Sequence, residues 1–428
     1  MSTGLIWFRN DLRISDHEAL KTACEDHEKV IGIYCFDPRQ YEKDRYGFIK
    51  TGKFRAKFLI QTITELQKNL DSLNIPLFIY QKKPEEIIPQ MISEYDIETI
   101  YFQKEWMQEE KAVENAVKKA SEKVDFNSYY QQFLYHPEDI PFESFQDIPK
   151  AYTAFRKACE KKAEIRELIE IPRAIAKADI SNETKIPNLK DLGLEDFEAD
   201  SRSAFPFKGG EDQAKNRIKE YFWETENLAK YKETRNGLIG TQYSSKLSAW
   251  LANGSISPKQ IYYEVKRFEK QVRSNQSTYW LIFELIWRDF FKYVSLKHGN
   301  KIFKLGGILD RDLEWKKDKN KLQQWINGKT QYDFVNANMK EIATTGFMSN
   351  RGRQNVNSFW AKEIKQDWRI GAAYFESLLI DYDVHSNWGN WMYNSGVGND
   401  PRDRKFNIES QADRYDPDQE YQNLWLKN

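Results

Sequence analysis

Over the first 130 residues, short apolar runs alternate with amphipathic stretches. Runs rich in β-branched and aromatic residues predict strands at Leu5–Phe8, Val30–Phe36, Pro76–Tyr80, Thr99–Phe102 and Val124–Tyr129. Helical spacing of apolar positions predicts helices over Gly52–Leu70, Pro84–Glu94 and Glu109–Glu122. Such alternation points to an α/β N-terminal domain over residues 1–130, built on a doubly wound five-stranded parallel sheet. Sheets of this kind take ligands at the carboxyl ends of their strands. The chain has neither G-x-G-x-x-G nor G-x-x-x-x-G-K-S/T, so the usual dinucleotide and P-loop readings lack their phosphate-binding glycines.

Residues 131–205 read as a connector punctuated by Pro137, Pro141, Pro149, Pro172 and Pro187. Its charge-rich stretch Lys157–Glu170 predicts a solvated helix. Beyond it strand signals fade and long periodic segments take over, at Gly210–Leu228, Pro258–Gln271 and Ser277–Leu296. The second domain, 206–428, is therefore expected to be all-α, without short repeats or a low-complexity tail.

A length of 428 residues suits two domains better than one core. With 40% hydrophobic and 30% charged residues the composition is that of a soluble globular chain. No apolar stretch approaches the roughly 18 residues a membrane span needs. The opening MSTGLIWFRNDLR lacks a signal-peptide pattern, so a cytoplasmic location is expected. Three cysteines without a CxxC and five scattered histidines argue against a disulfide framework and a metal centre. Basic and acidic residues balance at 65 each, so any nucleic-acid binding must come from a local basic surface. The aromatics stand out: of 13 Trp, eleven lie after position 200. A large aromatic core accounts for most such sequences; indoles used for stacking or electron transfer are the sharper alternative.

Four blocks of the second half carry candidate chemistry. In SSKLSAWL, Ser244–Leu251, hydroxyls and a Lys at a helix start suit a phosphate, although N-capping by Ser244 or Ser245 explains them as well. In WLIFELIWRDF, Trp280, Glu284, Trp287 and Arg288 share one helical face or its border; Glu and Arg among apolar groups must pair or bind something. In GFMSNRGRQNVNSFW, Asn350, Arg351 and Arg353 follow a glycine and could serve phosphates or a carboxylate. In DYDVHSNWGNWMYNSGVGNDPR, closely spaced carboxylates, amides and indoles read as a ligand-lining segment, with His385 structural.

Taken in order, these blocks resemble the photolyase/cryptochrome family, most closely its cryptochrome-DASH type. The resemblance runs from WFRNDLRISDHEAL through DPRQYEKDRYGFIKTGKFRAKFL and YHPEDIPF to YDPDQEYQNLW, with GFMSNRGRQNV, SNWGNW and GVGNDPR marking the DASH branch. It implies an α/β domain, a connector and an all-α domain holding FAD. By motif match Tyr231, Ser244, Ser245, Lys246, Leu247 and Ser248 would hold the FAD phosphates. Trp280, Glu284 and Arg288 would line the cavity, and Asn350 and Arg353 would approach the flavin. Arg353 would pair with Asp381, Asp383 would meet the isoalloxazine edge, and Asn387 would sit near flavin N5. Trp391, Trp368 and Trp315 match the family's photoreducing tryptophan chain.

The same resemblance implies light-driven repair of cyclobutane pyrimidine dimers. Glu284 and Trp287 match residues that touch a flipped dimer, whose extrusion costs unstacking energy. Tyr393 and Gln354 stand where classical photolyases have Trp and Met, which fits single-stranded DNA; RNA is admitted as a second nucleic acid. Arg351 and Arg404 match phosphate contacts, and Glu105 matches the acidic anchor of a 5,10-methenyltetrahydrofolate antenna. Asn336 replaces a usual Asp and Ala249 a usual Pro. The expected protein is a monomer that meets no membrane. Signalling cryptochromes usually carry a long C-terminal extension, and this chain ends soon after its last family motif. A signalling photoreceptor with little repair activity is the alternative. An ordinary nucleotide-binding α/β enzyme would leave the Trp-rich half unexplained.

Overall fold

The computed structural model describes residues 2–177 and 180–427. Ala178 and Asp179 of the predicted connector, and the chain ends Met1 and Asn428, lie outside the described residues. The first part contains β1 (Thr3–Trp7), α1 (Glu18–Asp26), β2 (Lys29–Cys35), α2 (Lys53–Asp71), β3 (Leu77–Tyr80), α3 (Pro84–Tyr95), β4 (Ile97–Gln103), α4 (Gln108–Ala120) and β5 (Asp125–Tyr129). All five strands are parallel, in the order β3-β2-β1-β4-β5. Central β1 is buried at every position, whereas edge strand β5 is not, as its polar DFNSY sequence dictates. The direction of winding reverses between β1 and β4, and their carboxyl ends open a crevice there.

The predicted connector helix is shorter than its charge pattern suggests: α5 spans Tyr152–Lys162 and the chain then continues without regular structure to residue 177. Tertiary bonds satisfy the backbone that leaves the helix. Tyr263 Oη donates to the Ile165 carbonyl and the Ile169 amide donates to Asp16 Oδ1, while Arg166 is claimed by Glu138 and Asp139.

The second part is helical: α6 (Glu211–Ile218), α7 (Tyr231–Thr234), α8 (Ser248–Ala252), α9 (Pro258–Gln271), α10 (Gln276–His298), α11 (Lys319–Ile326), α12 (Asp333–Thr345), α13 (Asn350–Ser358), α14 (Trp368–Leu378), α15 (Val384–Ser395), α16 (Ile408–Tyr415) and α17 (Glu420–Leu426). The segment predicted as one helix over 210–228 is broken. After α6 it widens into a π turn, Lys219–Glu224, and Glu226 then takes a left-handed conformation that ends it. Helix α10 is the axis of this half. Asn275 caps its start by accepting from the Ser277 and Thr278 amides, and Gly299, at positive φ, lets the chain turn away at its end. Its Leu281, Leu285, Ile286, Phe290 and Val294 are buried in the large core. Buried Asp289 accepts from the Leu134 and Tyr135 amides and so pins the connector to α10. The two halves also meet where Leu12 N and Arg13 donate to the Asn253 and Gly254 carbonyls. A Cβ on Gly254 would collide with the Asn10 carbonyl, so glycine is required for this approach.

Among the described residues no helix is long and apolar enough to cross a membrane, and no group of His, Cys, Asp or Glu is placed to hold a metal.

Candidate functional site

A cavity of about 250 Å³ opens between α7, the loop before α8, α10, α13 and α15, and a second lobe of about 210 Å³ shares Tyr231, Ser245, Leu247, Glu284, Arg353 and Asp381 with it. The structure thus brings to one place Tyr231, Ser244, Ser245, Lys246, Leu247, Ser248, Glu284, Arg288, Asn350, Arg353, Asp381, Asp383 and Asn387, scattered over more than 150 positions of sequence.

The loop before α8 owes its shape to buried Arg217, whose guanidinium donates to the carbonyls of Thr241, Ser244 and Ser245. Ser244 and Ser245 do not cap α8, contrary to the bland expectation. The N-cap is Leu247, without a side-chain bond, because Lys246 takes a left-handed turn before it. That turn buries the Lys246 side chain. Its Nζ lies 3.1 Å above the centre of the Tyr243 ring, makes no hydrogen bond, and is pushed well below the usual lysine pKa by burial. A buried amine without an acceptor is costly unless a ligand supplies one. The geometry therefore fits an anion such as a diphosphate.

Arg353, on the first turns of α13, donates through Nη2 to both oxygens of Asp381, and through Nε to the Met348 carbonyl. Arg235, which the sequence patterns did not single out, meets Glu284 at 2.8 Å. Burial raises the Glu284 pKa, against the opposing pull of Arg235 and of the Trp280 indole. Trp280 lies one helical turn before Glu284 on α10. It stacks on Phe283 with ring centres 4.7 Å apart and lies under Lys232. Trp287 lies outside both lobes. One face is covered by Tyr152, at 3.7 Å and nearly parallel, and Tyr393 meets it edge-on.

Trp391 lines the cavity and Trp368 is fully buried, its indole N–H donating to the Leu305 carbonyl. The Trp391 ring rests on Gly371, three residues along α14 from Trp368; a Cβ there would clash with the ring. Half-buried Trp315 precedes Lys316, which pairs with the backbone of Lys365 and Asp367 just ahead of Trp368. Trp391 also meets Trp325 edge-on at 6.3 Å, a contact that sequence matching did not anticipate.

Beside the cavity lies a polar groove lined by Arg351, Gln354, Tyr393 and Arg404, joined by Asn236, Arg414 and Tyr415. Arg351 is not a freely solvated side chain: it donates to Gln354 and Asn236 and lies over the Tyr415 ring. Burial and the charges of Arg235, Arg414 and Arg404 lower its pKa. Arg404 is more exposed and reaches the Tyr393 hydroxyl at 3.4 Å.

A third cavity, about 240 Å³, sits at the carboxyl ends of β1, β2 and β4 against the helical half. Glu105 lines it, buried and raised in pKa by that burial, and accepts from Gln103 Nε2 at 2.9 Å. Gln103 Oε1, Gln132 Oε1 and His385 Nε2, all buried and all without partners, belong to its lining residues. Asp383 and Arg288 line both this cavity and the second lobe. Asp383 caps α15 by accepting from the Ser386 amide and pairs with Lys292 at 2.9 Å. Burial would raise its pKa, but Lys292, His385 and Arg288 outweigh it and hold the carboxyl below its usual range. Asn336, in place of the usual Asp, accepts through Oδ1 from the Thr330 amide and hydroxyl and donates through Nδ2 to the Thr330 carbonyl.

The DNA photolyase model matches residues 4–175, and the model of the FAD binding domain of DNA photolyase matches residues 280–428. The chain is 46% identical over 427 residues to a cryptochrome DASH of Gloeobacter violaceus, covering 99% of this chain and 85% of that one. To the cryptochrome DASH of Synechocystis sp. it is 47% identical, with 99% and 87% covered. The crystal structure of a Synechocystis sp. PCC6803 cryptochrome superposes with a TM-score of 0.96, covering 100% of this chain and 89% of that one. A bacterial class III photolyase from Agrobacterium tumefaciens gives 0.85 at 25% identity, with 100% and 87% covered. With this fold, these cavities and this identity along nearly its whole length, the chain belongs to the photolyase/cryptochrome family, in its cryptochrome-DASH type.

Proposed function

We propose that this protein repairs cyclobutane pyrimidine dimers in single-stranded DNA with blue light, using FAD held in the cavity between α7 and α15. The observation that carries the reading is the makeup of that cavity's wall: a buried lysine without a hydrogen-bond acceptor, an Arg353–Asp381 clasp, a lining indole, and an adjoining groove edged with arginines. When bound and reduced, FAD supplies the photochemistry, lending an electron to the dimer and taking it back. The chain's residues do the rest. Lys246 and the Ser244–Ser248 loop neutralise and seat the diphosphate. Arg353 and Asp381 hold α13 against the end of α14. Arg235 pairs with Glu284 on the cavity wall, and Arg351 and Arg404 take the strand's phosphates. Trp391, Trp368 and Trp315 carry electrons inward from the surface. The pairing of Trp287 with Tyr393 offers less stacking area than two indoles, which favours strands that need no unpairing.

The interdomain cavity supports a second chromophore of the folate type. Its two unpartnered amide oxygens and buried Glu105 call for a ligand rich in N–H donors, as a pterin ring is. The photoreceptor reading keeps one specific observation: Tyr152 already covers a face of Trp287, leaving a single face for a lesion.

The test is to illuminate the reduced protein with dimer-containing single-stranded and duplex oligonucleotides and count restored thymines. Repair of the single strand ahead of the duplex is expected. Flavin photoreduction without repair of either would favour the photoreceptor.

A further inference from the structure

We infer that Arg217 is a positioning residue for the cofactor's diphosphate: from behind the loop that precedes α8 it turns two peptide units so that their N–H groups face the cavity. The inference rests on the proposal that FAD fills the cavity between α7 and α15. Arg217 sits on α6, and its side chain is only 1% exposed. Its guanidinium is spent on a segment without regular structure of its own. Nε donates to the Ser245 carbonyl at 3.0 Å, and Nη2 donates to the Thr241 and Ser244 carbonyls at 2.9 and 3.0 Å. Nη1 is anchored on Glu220, in the π turn that follows α6, and Glu220 also accepts from Gln242 Nε2. Phe207 and Tyr221 cover the guanidinium, with ring centres at 4.7 and 4.9 Å.

In a planar trans peptide the carbonyl and the N–H point opposite ways. Holding the Ser244 and Ser245 carbonyls toward Arg217 therefore turns the Ser245 and Lys246 amides away from it. Both residues are buried and line the cavity, and neither amide has a partner among the described residues. Lys246 is left-handed, at φ 62°, and Leu247 right-handed. Such alternation makes successive N–H groups converge on one concavity, a shape that holds anions. The left-handed conformation is unfavourable for lysine by itself, and the bond from Arg217 to the carbonyl just before it holds the turn in place. The same loop carries Lys246 Nζ, buried without an acceptor, an independent sign of an anionic ligand. A lysine at 217 would not replace the arginine. An ammonium is a single point, whereas the planar fork reaches three carbonyls and Glu220 at once.

The experiment measures the dissociation constant of FAD, from the fluorescence the flavin regains on leaving the loaded protein, in the wild type, Arg217→Lys and Arg217→Met. Inorganic diphosphate is the second probe, because it can meet the loop without the rest of the cavity; its constant is read from its competition with FAD. Both constants should rise together, about tenfold in Arg217→Lys and further in Arg217→Met, the loss expected when hydrogen bonds to a charged ligand are misaligned. A purely structural role would lower the melting temperature yet leave diphosphate binding unchanged below it, and that result overturns the inference. So does weaker FAD binding with unchanged diphosphate binding, which would place the effect elsewhere in the cavity. Should both variants fail to fold, Glu220→Gln, which weakens the anchor of the guanidinium, takes their place: a smaller parallel rise in both constants supports the inference, and unchanged constants overturn it. Wild-type protein that takes up no FAD would instead remove the functional reading on which the inference rests.

Discussion

One nitrogen of Arg353, Nη2, stands 2.9 Å from each carboxylate oxygen of Asp381, and this clasp joins α13 to the end of α14 across the cavity wall. Asp381 is buried while the Arg353 side chain keeps some contact with solvent. Breaking a buried pair by deleting one partner costs about 3–5 kcal/mol, and the exposure of Arg353 puts this case toward the lower end. Asp381→Ala is therefore expected to purify with little FAD or with a lowered melting temperature. Asp381→Asn, which still accepts from Arg353, should retain more. The absorbance ratio of flavin to protein in the three preparations checks this, and full occupancy in Asp381→Ala would take the clasp out of the site.

Trp391→Phe keeps a ring against Gly371 but is far harder to oxidise. FAD should remain bound, and photoreduction with an external reductant should slow sharply. Repair by chemically reduced protein should survive. Trp368→Phe should slow photoreduction in the same way. Trp325 touches Trp391 from another side, so Trp325→Phe is the control: if it slows the reaction as much as Trp368→Phe, electrons enter by the Trp325 side as well.

The strands, α9 and α10 were legible in the sequence because their apolar periods are long and their caps are written locally, Asn275 and Ser257 among them. The site was legible only where a motif was contiguous. Arg235 and Arg217 act through partners 49 and 28 positions away, which no local pattern encodes. Trp280 was placed near the cavity by its helical spacing, one turn before Glu284, but its stacking on Phe283 could not be read from that spacing. The connector misled because charge predicts a solvated helix only when the backbone has no better partner, and here Asp16 and Tyr263 provide them.

Glu341 is buried beneath α17, where the Tyr421 hydroxyl donates to it at 2.6 Å. Burial pushes its pKa up to about 7, despite that bond and the charges of Lys246 and Arg353. The ordinary value is about 4.5, so the folded chain holds this proton more tightly than the unfolded one. The resulting stabilisation is complete below about pH 4.5 and is lost as pH rises through about 7. Glu341→Gln mimics the protonated form and still accepts from Tyr421. It should melt like the wild type at pH 5 and be more stable at pH 8, by up to about 3 kcal/mol from the size of the shift. Melting curves of both proteins at the two pH values check the sign; a variant less stable at pH 8 would mean that the ionised carboxylate is the native form.

The basic groove and the Trp287 face should separate in binding experiments. Arg351 is tied to Gln354, Asn236 and Tyr415 and is surrounded by like charges from Arg235, Arg404 and Arg414. That arrangement is strained toward an anion, as a phosphate site should be. Arg351→Ala is expected to weaken intact and dimer-containing single strands alike and to flatten the salt slope by about one unit. Trp287 offers one stacking face, since Tyr152 holds the other. Trp287→Ala should therefore lose mainly the preference for the dimer, by roughly 1–3 kcal/mol if base stacking is the guide, with the salt slope unchanged. Tyr152→Ala is the informative companion, because it removes the backing of Trp287 without touching the groove, and a loss of dimer preference there would show that the stacked pair acts as one platform. Titrations of each variant with both oligonucleotides over a range of salt decide the matter. Equal loss on both DNAs for Trp287→Ala would make that indole part of the core and move the reading from repair toward photoreception.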